Sequence, residues 1–263
     1  MRCLYVDLDG TLLGAGGAVT RDGDGAFTLL GVRALEACHR ARVLVVAMSG
    51  RPRALLGEDV RLLGLDEYVF EAGAGFVVDG EVHWLIEPDT HERIAASGAP
   101  DLLLERYAGR IEPHAPYDRG REVSHALRGL VDVAEAEALL AEHGHADLRL
   151  IDNGEAHNRS PALDGLAQVR LYHLLPRELS KAAAVAAHAR ARGFAREDCL
   201  AVGDSREDLQ VAPTVGAFWL VANALELDPD LRAELARHPN AHLAEATHGA
   251  GVYEAVLTTL AQR

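Results

Sequence analysis

Residues 3 to 13, CLYVDLDGTLL, constrain the fold of this chain more than any other stretch. Four strand formers, Cys3, Leu4, Tyr5 and Val6, run without a polar break into two aspartates, Asp7 and Asp9. A short apolar run that stops at carboxylates is expected as a buried parallel strand, delivering its acids to the carboxyl edge of an α/β sheet. Open α/β sheets hold their ligands at that edge. Asp7 there suits a nucleophile and Mg²⁺ ligand, and Asp9 a proton donor two residues on. Gly10 permits a tight backbone exit, and the Thr11 hydroxyl can hold the turn. An isolated Asp-x-Asp is equally a strand end with two solvated acids. Partner motifs elsewhere in the chain have to decide between the two.

The glycine-rich stretch 14 to 25 carries neither a Walker lysine nor a GxGxxG fingerprint and reads as a flap. Helical spacing follows over 26 to 41, then a second buried strand over 42 to 48, RVLVVAM. That strand ends in Ser49-Gly50-Arg51-Pro52. A small hydroxyl at a strand tip, with a proline suited to a first helical turn, is either a phosphate-holding corner or an ordinary serine N-cap. A third strand is expected over 67 to 70, followed by Glu71-Ala72-Gly73-Ala74-Gly75, and a hairpin over 76 to 86 around Asp79-Gly80.

Composition shifts from about Glu87 to Leu175, where Pro88, Pro100, Pro113, Pro116 and Pro161 fall among helical and strand-like runs. Strands are expected at 122 to 127, 147 to 151 and 169 to 174, and an amphipathic helix at 134 to 142. The region reads as an inserted α+β unit. It carries Arg119, Arg121, Arg128 and Asn153, and its densest polar stretch is Asp152 to Arg159, with His157, Asn158 and Arg159. One by one these read as solvated surface residues; as a cluster, Asn158 and Arg159 are the first candidates for substrate contact.

Pro176 begins the return to the core. PRELSKAAAVAAHARARG reads as a helix with Ser180 as N-cap and Lys181 in its first turn. Lys181 is the only lysine in the chain. Every other long cation is arginine, so a lone lysine marks either a place where a compact ammonium is required and a planar guanidinium would not fit, or a chance survival at a helix start, where the dipole mildly disfavours a cation. A further buried strand, Cys199 to Val202, runs into Gly203-Asp204-Ser205-Arg206-Glu207-Asp208. Two acids four residues apart beside a strand tip can hold a hard cation. A last strand is expected over 217 to 221 with Asn223 just past it, and a closing helix from Val252.

Taken in order, Asp7-x-Asp9-Gly10-Thr11, Ser49-Gly50-Arg51, Lys181 and Gly203-Asp204-Ser205-x-x-Asp208 resemble the four motifs of the haloacid dehalogenase superfamily. The resemblance is to its C2-capped phosphatases, the cofactor-type and sucrose-phosphatase-like branch. It implies a Rossmann-like three-layer α/β core with a parallel sheet, formed by 1–82 and 177–263, and an α+β C2-type cap over 83–176. It further implies a Mg²⁺-dependent phosphomonoester hydrolase working through an aspartyl-phosphate. Asp7, Asp9 and Lys181 would be catalytic; Asp7, the Asp9 backbone carbonyl, Asp204 and Asp208 would serve the metal. Thr11, Ser49, Gly50, Arg51 and Lys181 would bind phosphate, and the cap would select a phosphosugar or similar small phosphometabolite. Two positions depart from the pattern: Ala72, where relatives often carry Asn, and Glu207, where Asn is usual. A phosphomutase or phosphotransferase of the same fold, and a non-catalytic phosphometabolite-binding protein, stay open as alternatives.

The formal net charge of −14 argues against nucleic acid or an anionic membrane as partner, without excluding a small phosphorylated one. No stretch has the apolar length to span a bilayer, and the N-terminus runs directly into a strand. A soluble, cytoplasmic monomer or homodimer is therefore expected. Cys3, Cys38 and Cys199 suit neither a disulfide framework nor a zinc site and are expected as small apolar packing.

Overall fold

The computed structural model of the chain describes residues 1–156 and 160–262. Its strands are β1 (Cys3–Asp7), β2 (Leu44–Met48), β3 (Glu67–Phe70), β4 (Gly75–Val78), β5 (Glu81–Trp84), β6 (Ile111–Pro113), β7 (His125–Gly129), β8 (Leu148–Glu155), β9 (Arg170–Pro176), β10 (Cys199–Gly203), β11 (Ala217–Leu220) and β12 (Ala241–Leu243). They form an eight-stranded sheet in the order β12-β11-β10-β1-β2-β3-β4-β5 and a four-stranded sheet in the order β6-β7-β9-β8. The chain divides into two compact units, Met1–Ser49 with Leu56–His83 and Ser180–Arg263, and Gly50–Leu55 with Trp84–Leu179.

In the first unit β12 through β3 run parallel, and β4 returns antiparallel on β3. Parallel strands are covered on both faces, which is why β1 and β10 are apolar without alternation and buried throughout. Cys3 and Tyr5 join the core beneath the helix Lys181–Ala191, through Ala184, Val185 and Ala189. Leu4 and Val6 point to the opposite face, where the helices Leu30–Arg40 and His248–Ala261 pack on each other and on β2, β10 and β11. Burial of one such aliphatic side chain is worth about 1.5–3 kcal/mol before the entropy of ordering it. All three cysteines are free and buried, as apolar packing requires.

Several boundaries differ from the sequence-based expectation. The helix expected from residue 26 starts at Leu30, because Phe27 is held in a bridge to Arg21. The closing helix starts four residues early, at His248, which takes a left-handed φ of 46°. The short strand β12 was not anticipated; its three residues alternate intermediate and exposed, so no apolar run announces it.

The second unit packs the helices Thr90–Ser97, Ala99–Arg106 and Val133–Glu142 with its antiparallel sheet around Ile94, Leu103, Tyr107, Leu127, Leu140, Leu150, Tyr172 and Leu174. Asp132 caps the last of these helices by accepting from the Glu135 amide at 2.9 Å. The strand expected over 122 to 127 forms instead at β7, three residues later. Side chains of the preceding turn are committed elsewhere: Glu122 takes Arg53 in two hydrogen bonds of 2.7 and 3.0 Å, and Ser124 accepts from Arg121 at 2.9 Å. No sequence signal marks β6, which is three residues long and ends in Pro113, tolerable only on an edge strand.

Candidate active site

Three elements of the first unit end at one place. β1 delivers Asp7, the turn after β10 delivers Asp204 and Asp208, and the helix Lys181–Ala191 begins with Lys181. Carboxylate oxygens of Asp7, Asp204 and Asp208 lie within 4.8 Å of one another. Lys181 Nζ donates to Asp7 Oδ1 at 2.6 Å and to Asp208 Oδ1 at 2.7 Å, and all three side chains are buried. The other oxygen of Asp208, Oδ2, accepts from the Asp204 amide at 3.2 Å, the Ser205 amide at 3.2 Å and the Ser205 hydroxyl at 2.6 Å. Ser205 Oγ in turn accepts from the Asp208 amide at 3.2 Å and caps the short helix Arg206–Leu209, and each oxygen of Asp208 has its own duty. Thr11 Oγ1 donates to Asp204 Oδ1 at 3.0 Å, so the hydroxyl expected to hold the first turn ties it to the third acid.

Electrostatics follow from burying like charges together. Burial is the largest influence on Asp7 and raises its pKa well above the carboxylate range; Lys181 opposes this, while Asp208 and Asp204 add to it. Asp204 is pushed up to about 7, first by burial and then by Asp208, against the Thr11 hydrogen bond and Lys181, with a further contribution from Asp9. Lys181 would be lowered by its burial, but Asp208 and Asp7 outweigh that and raise it. Three carboxylates against one ammonium leave a formal excess of two negative charges. A hard divalent cation matches both that deficit and an all-oxygen donor set.

Asp9 is exposed, and its side chain stands outside the three-carboxylate group. Ser49 is buried one residue beyond Met48, the β2 partner of Asp7, so the register sets it beside the nucleophile candidate. Its carbonyl accepts from the Ala72 amide at 3.0 Å. Glu71 and Ala72 both take left-handed φ values, 43° and 56°. Next to them a Cβ on Gly73 would stand 2.3 Å from the Ser180 carbonyl oxygen and 2.9 Å from the Lys181 amide nitrogen, so only glycine lets this loop meet the helix that carries Lys181. Glu207 accepts from Gln210 at 3.3 Å on the outer side of its helix.

Gly50 and Arg51 fall in the second unit. There Arg121 donates to the Gly50 carbonyl at 3.0 Å, and Gly50 packs against the His173 ring. Arg121 and Arg128 are buried, not solvated: Arg121 also donates to the Tyr117 carbonyl at 3.0 Å, and Arg128 pairs with Glu112 at 2.7 Å. Asp152 pairs with Arg170 at 2.5 Å. Asn158 and Arg159 lie outside the described residues, as does His157.

A second buried polar cluster has no local signature in the sequence. His188 Nε2 meets Glu67 at 2.7 Å and its Nδ1 meets the Tyr5 hydroxyl at 2.8 Å. Glu67 is also paired with Arg192, which extends to Asp79 at 2.7 Å. Burial, with His83 adding to it, lowers His188 to about 4, so its imidazole is neutral. A neutral ring facing a carboxylate donates from Nε2 and accepts from Tyr5 at Nδ1.

The fold is that of the haloacid dehalogenase-like hydrolases. A haloacid dehalogenase-like hydrolase from B. subtilis superposes with a TM-score of 0.64 at 18% identity, covering 98% of this chain and 99% of that one. The sucrose-phosphatase of Synechocystis sp. PCC6803, solved with sucrose and phosphate, gives a TM-score of 0.65 at 16% identity over 98% of both chains. By sequence, the chain is 27% identical over 233 residues to a phosphoglycolate phosphatase of Halobacterium salinarum, covering 84% of each. It is 24% identical over 258 residues to a phosphoglycolate phosphatase of Methanococcoides burtonii, covering 97% of this chain and 95% of the relative. No family model matches the chain.

Proposed function

We propose that the chain is a Mg²⁺-dependent phosphomonoesterase acting on a small phosphorylated alcohol. The observation that carries the reading is the buried Lys181 ammonium shared between Asp7 and Asp208, with Asp204 beside them. The lysine opposes the neutralising effect of burial on Asp7, and a bound divalent cation would complete the charge that keeps Asp7 a carboxylate. An Asp7 oxygen attacks phosphorus in line, and the bond from phosphorus to the ester oxygen breaks. Asp9, exposed at the end of the turn, gives its proton to the departing alkoxide. Asp9 then takes a proton from water, whose oxygen attacks phosphorus and returns Asp7 as a carboxylate. Lys181 and Ser49 hold phosphoryl oxygens and meet the charge that develops on them.

Asp7, Asp204 and the Asp9 backbone carbonyl would hold Mg²⁺, with Asp208 fixing their approach through its contacts to the Asp204 and Ser205 amides. The bound cation supplies Lewis-acid stabilisation of the phosphoryl charge. The segments 1–82 and 177–263 are assigned as the catalytic core, and 83–176 as a C2-type cap that selects the leaving group. The relatives named phosphoglycolate phosphatase and the structural neighbour that is a sucrose-phosphatase share one chemistry, a phosphomonoester of an aliphatic alcohol. Phosphoglycolate and phosphosugars are therefore the substrates to try first.

Phosphate release from phosphoglycolate, phosphosugars, nucleotides and pyridoxal phosphate, with Mg²⁺ and with EDTA, tests the reading. Turnover is expected with Mg²⁺ alone, and Asp7→Asn is expected to lower it by at least about 10⁴-fold. A folded wild-type protein that binds Mg²⁺ yet releases no phosphate would sink the assignment.

A further inference from the structure

Asn223 lies past the end of β11 and belongs to none of the motifs read above, yet it is 6% exposed and fully engaged. Its Nδ2 donates to the Gly10 carbonyl at 2.8 Å, and its Oδ1 accepts from the His248 amide at 3.0 Å. The two partners are a pure acceptor and a pure donor, so the orientation of the amide is fixed by chemistry. Gly10 is the residue after Asp9 and turns the chain with a φ of 83°. No side chain fits there, because a Cβ would stand 2.3 Å from Asp204 Oδ2.

His248, on the other side of Asn223, opens the fourteen-residue closing helix in a left-handed conformation that side chains rarely adopt. Such strain persists where the surroundings over-determine it and marks places worth examining. Here it coincides with the His248 amide that Asn223 holds. The first turn has its own backbone bonds, from Leu12 to the Asp7 carbonyl at 3.2 Å and from Leu13 to the Leu8 carbonyl at 2.8 Å. Those bonds close the loop behind Asp9. The side chain that reaches the Gly10 carbonyl comes from a strand end more than two hundred residues later.

We propose that Asn223 is a positioning residue for the Asp9 carboxyl: it pins the peptide after Asp9 to the start of the closing helix and so sets where the proton donor stands. This rests on the assignment of Asp9 as the acid that protonates the leaving alcohol. Phosphoryl transfer to Asp7 is the step in which the leaving oxygen takes that proton, and kcat/KM reports that step. A poor leaving group needs the proton there, whereas p-nitrophenolate departs without one.

The test measures kcat/KM for wild type, Asn223→Ala and Asn223→Asp across aryl and alkyl phosphates of increasing leaving-group pKa, with Mg²⁺ present. In Asn223→Ala, kcat/KM is expected to fall on the order of tenfold or more for alkyl phosphates and less than about twofold for p-nitrophenyl phosphate, since a general acid contributes about 10²–10⁴ when well placed. Asn223→Asp keeps the shape but sets an acceptor against the Gly10 carbonyl, and is expected to steepen the leaving-group dependence in the same sense. It also serves if the alanine variant fails to fold. Hydrogen exchange at the His248 amide is expected to quicken in Asn223→Ala, as its acceptor is removed. Equal loss on aryl and alkyl substrates, or an unchanged slope in a folded variant, would overturn the inference while leaving a working wild-type phosphatase intact. A wild type with no turnover would instead overturn the functional assignment beneath it.

Discussion

Two buried polar clusters hang from the same strand and the same helix, and they are built on opposite terms. At one, Tyr5, His188 and Glu67 are hydrogen-bonded in a chain, with one buried carboxylate against the Arg192 guanidinium, a neutral ring between, and a second, exposed carboxylate at Asp79 on the outer side of Arg192. At the other, two residues up β1 and two turns up the helix, Asp7, Asp204 and Asp208 face a single ammonium. Both are hydrogen-bonded. Only the second is unbalanced in the charge it buries. Polarity and burial therefore do not separate scaffold from site in this molecule; the residual charge does. A balanced cluster locks β1 to the helix, whereas an unbalanced one is held against its own repulsion by the surrounding fold.

Removing the one cation from the unbalanced cluster should produce the largest effect. Lys181→Met leaves buried carboxylates without compensation and is expected to lower stability by about 3–5 kcal/mol in EDTA, read by urea unfolding. Adding Asp7→Asn should recover part of that loss. If the single variant matches wild type, the carboxylates are not coupled through the ammonium.

The two clusters should also answer pH with opposite signs. His188 titrates near 4 in the fold against an ordinary 6.5, so between those values the unfolded chain binds a proton that the folded chain refuses. Its contribution is present above pH 6.5 and lost as pH falls towards 4, by up to about 3 kcal/mol. Asp204 is the reverse case, raised to about 7 from 3.8: without cation its contribution is present at low pH and lost as pH rises through 7. His188→Leu should abolish the first slope and Asp204→Asn the second in unfolding measured across that range. Slopes of the same sign would erase the distinction drawn between the clusters.

Saturating the unbalanced cluster is the next smaller effect. Mg²⁺ at a hundred times its Kd should stabilise the protein by about 2.7 kcal/mol, with a gain that shrinks below about pH 7 as the Asp204 proton competes. Calorimetric titration in two buffers of different ionisation heat counts that proton. Smallest of all, Ala72→Gly relieves a left-handed alanine with φ of 56° beside Ser49 and should raise Tm modestly, worth about 0.5–1 kcal/mol. A decrease would mean the Ala72 side chain matters more than its backbone strain.

How legible these features were depended on sequence distance. β1 and β10 could be read directly, because a buried parallel strand is a continuous apolar run ending in a polar tip. Asp7, Lys181, Asp204 and Asp208 were legible as motifs, and the structure brings all four together. The Tyr5–His188–Glu67 chain was not, since its members stand 183 and 121 residues apart and each sits inside an ordinary apolar element. Asn223 could be seen past its strand, but nothing local pointed to Gly10. Arg121 and Arg128 went wrong for a different reason: arginine reads as a surface residue until carbonyls and carboxylates enclose it. Two left-handed residues in succession, Glu71 and Ala72, carry no turn signal at all.

That the chain owns a single lysine has a practical consequence. Reagents that acylate primary amines find one side-chain target in this sequence, a single ε-amine. That amine is 4% exposed and clasped between two carboxylates. Its rate of labelling, read as one mass increment on one peptide, is thus a built-in gauge of how often the carboxyl edge of the sheet opens to solvent, with no engineered probe required.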